Sequence, residues 1–185
     1  MTTAKSSALT DQQAGTIQDA RLIKARVRSA IDTIAVLTTD IDAADILLYA
    51  IDIQSNAHGI DIDVYNDDLD SNCCPTLTVD IGLYAAQDFS SVTSGTITKR
   101  LEDSALDIDV FVDNSTVLQA ATTGYTRQAL DSATYGPDDV LKPLWELLGY
   151  DEDPKVKFRV AMTIGTVAAT AVAGDISMRV RYQLD

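Results

Sequence analysis

Seven short stretches of this chain alternate apolar and polar residues with a period of two, the pattern of strands that bury one face. The cleanest, Thr76-Leu-Thr-Val-Asp-Ile-Gly-Leu-Tyr84, places Leu77, Val79, Ile81 and Leu83 on one side and polar residues on the other. Further strands are expected over residues 46–53, over 59–65 with Ile60, Ile62 and Val64 inward, and over 106–112. In the last of these Leu106, Ile108, Val110 and Val112 would face the core and Asp107 and Asp109 water, and a weaker segment at 95–99 leads into it. Residues 155–164 carry Val156, Phe158, Val160, Met162 and Ile164 in alternation; residues 175–184 carry Ile176, Met178, Val180, Tyr182 and Leu184. With Val172-Ala-Gly174 as a bend, these two are expected to form a C-terminal antiparallel pair. The clusters Gln54-Ser-Asn-Ala-His-Gly59 and Asn66-Asp-Asp-Leu-Asp-Ser-Asn72 read as turns between strands.

Two segments depart from this rhythm. Ile23, Val27, Ile31 and Ile34 fit a helical stripe, yet the β-branched density of residues 31–39 favours a first strand over residues 26–37. Gly136-Pro-Asp-Asp-Val-Leu-Lys-Pro-Leu-Trp-Glu-Leu-Leu-Gly149 predicts a short helix: Pro137 suits its first position, Asp138 and Asp139 its positive end, and Gly149 the residue after it. Pro143 removes a helical hydrogen bond, so the segment is expected to break at Lys142 into two turns. Leu141, Leu144, Trp145 and Leu148 would then close an open edge of the core. Many strands, one short helix and turn signals between them predict an all-β chain, a jelly-roll-like antiparallel β-sandwich over residues 26–185. Residues 1–25, small, polar and without periodicity, predict an extended and flexible N-terminal arm.

Composition narrows the functional classes. A chain of 185 residues with 46% hydrophobic content can bury a real core. Its net charge of −14 opposes direct nucleic-acid binding, which needs clustered Lys and Arg against phosphates. The charge is uneven: Lys5, Arg21, Lys24, Arg26 and Arg28 sit near the start and the acidic residues in the body, so the arm is the candidate partner-binding segment. The first ten residues lack the apolar run of a secretory signal, and the most apolar run, residues 160–174, is short of a membrane span and diluted by threonines. Cys73 and Cys74 are sequence neighbours, which rarely reach disulfide geometry, so synthesis in a reducing cytoplasm is expected.

Candidate chemistry is sparse. Asp67, Asp68 and Asp70 could offer oxygen ligands to calcium, but the loop lacks the central glycine and closing glutamate of an EF-hand, and an acidic turn bonding its own backbone explains it as well. Asp61, Asp63 and Asp80 could suggest the paired carboxylates of glycoside hydrolysis, yet alternation puts them on outward faces with no group to separate their pKa values. His58 reads as a solvated turn residue without a second histidine at ligand spacing, and Cys73 or Cys74 as small buried or turn residues rather than nucleophiles. Tyr49, Tyr65, Tyr84, Tyr125, Tyr135 and Tyr150 are spread along the chain, which argues mildly against a sugar-stacking platform. Trp145 with Leu144 and Leu148 reads as core before it reads as a partner patch. A glycine-rich phosphate loop, a Walker lysine and a nucleophile elbow are all missing, so no catalytic residue, cofactor or enzymatic activity is expected.

Val64-Tyr-Asn-Asp-Asp-Leu-Asp-Ser71, Pro75-Thr-Leu-Thr-Val-Asp-Ile-Gly-Leu-Tyr84 and Leu144-Trp-Glu-Leu-Leu-Gly-Tyr-Asp-Glu-Asp-Pro154 resemble segments of a group of tailed-bacteriophage virion proteins. Arg26-Val-Arg28 and Met178-Arg-Val-Arg-Tyr-Gln-Leu184 resemble the group's first and closing strands, so the likeness spans most of residues 26–185. It implies a structural component of the virion and offers no active-site residue to carry over. The role it implies is capsid decoration, or cement, on the capsid surface, made in the host cytoplasm. The partners would be the major capsid protein and neighbouring copies, with a homotrimer as the expected state and no membrane or direct nucleic-acid contact. Alternatives are a head–tail connector or tail component and, from another class, a carbohydrate- or calcium-binding β-sandwich.

Overall fold

One long antiparallel ribbon, rolled up on itself, accounts for the architecture. The computed structural model describes residues 26–128 and 134–184. Its ten strands are β1 (Arg26–Val36), β2 (Ile46–Gln54), β3 (His58–Asn66), β4 (Thr78–Ala85), β5 (Phe89–Thr93), β6 (Thr96–Arg100), β7 (Ala105–Ser115), β8 (Thr126–Gln128), β9 (Lys157–Thr166) and β10 (Gly174–Leu184). β4 pairs with β7, β3 with β8, β2 with β9 and β1 with β10, all antiparallel. Rolling that ribbon brings β10 beside β3 and β9 beside β4. The outcome is two four-stranded sheets, β1-β10-β3-β8 and β2-β9-β4-β7, with β5-β6 as a separate hairpin.

The alternation in the sequence fills the space between the sheets. Leu47, Tyr49, Ile51 and Ile53 are buried from β2, Phe158, Val160, Met162 and Ile164 from β9, and Ile176, Met178 and Val180 from β10. Each such side chain contributes about 1.5–3 kcal/mol relative to exposure. Phe89, Tyr150 and Phe158 stack edge to face or tilted at centroid distances of 5.9–6.3 Å, tying the β5-β6 hairpin and the segment after the helix to β9.

Several expectations need correction. The last two strands do not pair: β9 lies between β2 and β4, and β10 between β1 and β3. Periodicity makes both strands half-buried but does not choose the sheet. The connecting residues 167–173 are held by another loop: Ser71 donates to the carbonyl of Thr170, Val172 to that of Leu69, and Asp70 forms a bridge with Ala171. On β7, Val110 and Phe111 are buried in succession while Ile108 is exposed, because the β4-β7 register slips repeatedly. β4 is buried on both faces, so Asp80, expected on an outward face, is buried there, as is Tyr84. β5 and β8 have too little alternation to be read in advance; Ser94 and Gly95, at φ of 49° and 73°, make the tight turn after β5.

The helical segment divides where Pro143 requires. A 3-10 turn spans Pro137–Leu141, and a single α-turn, α1, spans Leu144–Leu147 with Gly149 following at φ of 69°. Leu144 is fully buried and Trp145 and Leu148 pack against the core, whereas Leu141 is exposed. Among the described residues no helix is long and apolar enough to cross a membrane.

Candidate functional site

The residues singled out for chemistry do not converge. Asp61 and Asp63 lie on β3 in one sheet and Asp80 on β4 in the other, so the three carboxylates form no acid–base set. His58 is buried, opening β3 instead of lying in a solvated turn, and neither ring nitrogen has a hydrogen-bond partner. Its burial follows from the helical segment, whose Leu144 and Trp145 amides donate to the carbonyls of Ala57 and Ser55 and so cover the turn before β3. Cys73 and Cys74 are both free and exposed.

The carboxylates of the acidic loop bond the backbone around them. Asp70 is 1% exposed and accepts four backbone N–H bonds: Thr76, Leu77 and Ala169 to Oδ2 at 2.7, 3.1 and 3.0 Å, and Thr170 to Oδ1 at 2.8 Å. Burial pushes its pKa up, but the four donors outweigh burial and hold it at about 2. Asp67 accepts the Asp175 N–H and Asp68 the Asp70 N–H. Among the described residues no group of three or more His, Cys, Asp or Glu side chains is placed to hold a metal ion.

What the fold does assemble is a charged outer face on the β1-β10-β3-β8 sheet. Register sets Ser29, Arg181 and Asp61 in one rank and Ile31, Arg179, Asp63 and Arg127 in the next. Arg179 donates from Nε and Nη2 to Asp63 Oδ2 at 3.0 and 2.7 Å, and Arg181 reaches the same oxygen at 3.1 Å. Asp61 pairs with Arg127 at 2.6 Å and with Arg181. The Arg179 guanidinium lies 4.3 Å from the centroid of Tyr125, which itself sits 6.0 Å from Tyr65. Both tyrosines are exposed, so two of the six aromatics that looked scattered form a surface pair. Sequence reasoning missed this cluster because its three segments, residues 61–65, 125–127 and 179–181, lie 52 or more positions apart; the alternating Arg179 and Arg181 on a closing strand were the available signal.

Beside this face lies the outer edge of β1. β1 pairs with β10 over eleven residues, and among the described residues no strand pairs with its other side, where Val27 and Ile31 are about 60% exposed. Asp32 closes the sandwich below, accepting the Ala50 N–H of β2 at 2.7 Å, where the β2-β9 register slips. Of the basic arm residues, Arg26 opens β1 and Arg28 is exposed on it; Lys5, Arg21 and Lys24, like the proposed arm itself, lie outside the described residues. A polar cleft of about 650 Å³ opens elsewhere, between Asp52, Gln54, Asn56, Gln87, Asp153 and Lys157. Within it Asp153 is already engaged by the Ser55 hydroxyl and the Lys155 N–H.

Two four-stranded sheets in this order, formed by four nested antiparallel pairs, define a jelly-roll β-sandwich. Solved structures share it over nearly the whole chain. A chain of the cyanophage Pam1 capsid asymmetric unit matches with a TM-score of 0.57 and 19% identity, covering 88% of each chain. A chain of the capsid of Ralstonia phage GP4 matches with a TM-score of 0.56 and 21% identity, covering 86% of this chain and 85% of that one. No family model matches the sequence, and no curated protein does.

Proposed function

We propose that this chain is a non-enzymatic structural protein of a phage virion, a decoration (cement) protein that binds the outer capsid shell and stabilises it. The observation that carries this reading is the jelly-roll order together with its near full-length likeness to chains of two phage capsids. The site is consistent with it: a stiff sandwich, a salt-bridged face and a strand edge left unpaired among the described residues suit assembly, and of the carboxylates singled out for acid–base chemistry Asp61 and Asp63 are paired with arginines while Asp80 lies in the other sheet. In this reading residues 1–25 dock on the major capsid protein or an adjacent copy through Lys5, Arg21, Lys24, Arg26 and Arg28, and the chain is a homotrimer. Deleting residues 1–25 is expected to abolish attachment to particles lacking the protein while the sandwich stays folded. Unchanged occupancy of the truncated chain would sink the arm-docking role, and a copy number of a dozen or fewer per particle would move the chain to the head–tail junction or tail.

A second reading, from the same face, is carbohydrate binding. It rests on the exposed Tyr65–Tyr125 pair flanked by Arg179 and Asp63, aromatic faces beside a planar donor and acceptor. Loss of glycan retention on Tyr65→Ala, with capsid attachment unaffected, would establish it as separate from docking.

A further inference from the structure

The loop between β3 and β4 is tied at its base and projects two thiols. Asp70 at its start accepts the N–H groups of Thr76 and Leu77 at its end, so residues 71–75 form a tip on a fixed stem. Asn72 braces the tip: its Oδ1 accepts the Cys74 N–H at 3.0 Å and its Nδ2 donates to Thr170 Oγ1 at 3.1 Å. Pro75 confines Cys74 to extended backbone. Cys73 and Cys74 are exposed there with their Sγ atoms 3.9 Å apart.

We propose that Cys73 and Cys74 form a bidentate thiolate site for one soft thiophilic centre, a trivalent arsenical or a d10 cation such as Cd2+ or Zn2+. Two sulfurs bound at ~2.3 Å to a tetrahedral centre stand about 3.8 Å apart, so the observed separation is already the bite of a chelate. The alternative fate, a disulfide between the two, is opposed by the backbone: successive Cα atoms are about 3.8 Å apart, below the ~4.4–6.8 Å that disulfides span. Soft sulfur selects soft metals, and the braced tip reduces the ordering that binding would otherwise require. The chain contains two cysteines in all, so it fills two coordination positions and leaves the rest to solvent or a second ligand. Binding releases the two thiol protons.

Full-length protein, reduced with a phosphine, is to be treated with phenylarsine oxide. The reaction forms two As–S bonds, expels the oxide oxygen with the two thiol protons as one water, and leaves arsenic trivalent. Intact mass is expected to show one phenylarsenic per chain, with both thiols lost to maleimide and recovered by excess small-molecule dithiol. Cys73→Ser and Cys74→Ser are each expected to bind on the order of a hundredfold more weakly, since the second contact is no longer intramolecular. Because the side chains are exposed, both variants should keep the parent's melting midpoint and one maleimide-reactive thiol. Cd2+ should give a thiolate charge-transfer band with the same dependence on the variants. A reduced parent with two maleimide-reactive thiols that takes up neither arsenical nor Cd2+, or a single variant that binds as tightly, would overturn the proposal.

Discussion

Asp70 and Asp80 show how the same side chain takes opposite roles in one sandwich. Asp70 is held at about 2 by four backbone donors, so its contribution to stability is complete above the unfolded value of 3.8 and is lost as pH falls through about 2. Asp70→Asn places an amide donor against backbone donors and is expected to lower stability by about 3 kcal/mol at neutral pH. Urea melts of parent and variant should converge on acidification toward pH 2. Asp80 lies the other way: burial raises its pKa, the Asn114 N–H opposes that, and the charges of Asp113 and Asp109 add to it. Its neutral form suits the site below the unfolded value, and stability is lost as pH rises through the folded one. Asp80→Asn, which keeps an acceptor for Asn114, is therefore expected to raise the neutral-pH melting midpoint, with the gain vanishing in acid. Neither role was visible in the alternating pattern, which set Asp80 outward and Asp70 in a turn, because donors reach Asp70 from 99 and 100 positions away and Asp80 from 34.

Pairing of elements explains which glycines and prolines matter. β7 passes so close over β4 that a Cβ on Gly82 would lie 2.2 Å from the Asp107 carbonyl oxygen and 2.3 Å from the Ile108 carbonyl carbon. The obstacle is backbone, which does not swing aside, so Gly82→Ala is expected to cost about 3 kcal/mol and to lower the melting midpoint by roughly 10 °C. Retention of the parent's midpoint would show that β4 and β7 separate easily. Pro143 acts on the opposite principle, and its effect was legible in advance: it ends one turn at Lys142 and starts the next at Leu144, where the freed amides bond the turn before β3.

At the level of the whole molecule the β1 edge, unpaired among the described residues, and its exposed apolar Val27 and Ile31 invite a second copy, and the proposed trimer is tested at this scale. Light scattering across a concentration series is expected to give a stable mass near three times the 19.9 kDa chain. A strict monomer would remove the trimer and leave assembly to the capsid. The sequence by itself determined the half-buried strands, their inward residues on β4, β9 and β10, the split helix and the all-β sandwich class, since each depends on residues within one turn or strand of each other. The tertiary structure alone decided which sheet each strand joins, the separation of β9 from β10, the burial of His58 and Asp80, and the Arg–Asp–Tyr face. The reason is that period-two alternation states only that a strand has an inside; its neighbours are chosen by the rolling of a ribbon whose partners lie up to 158 positions apart, from Arg26 to Leu184.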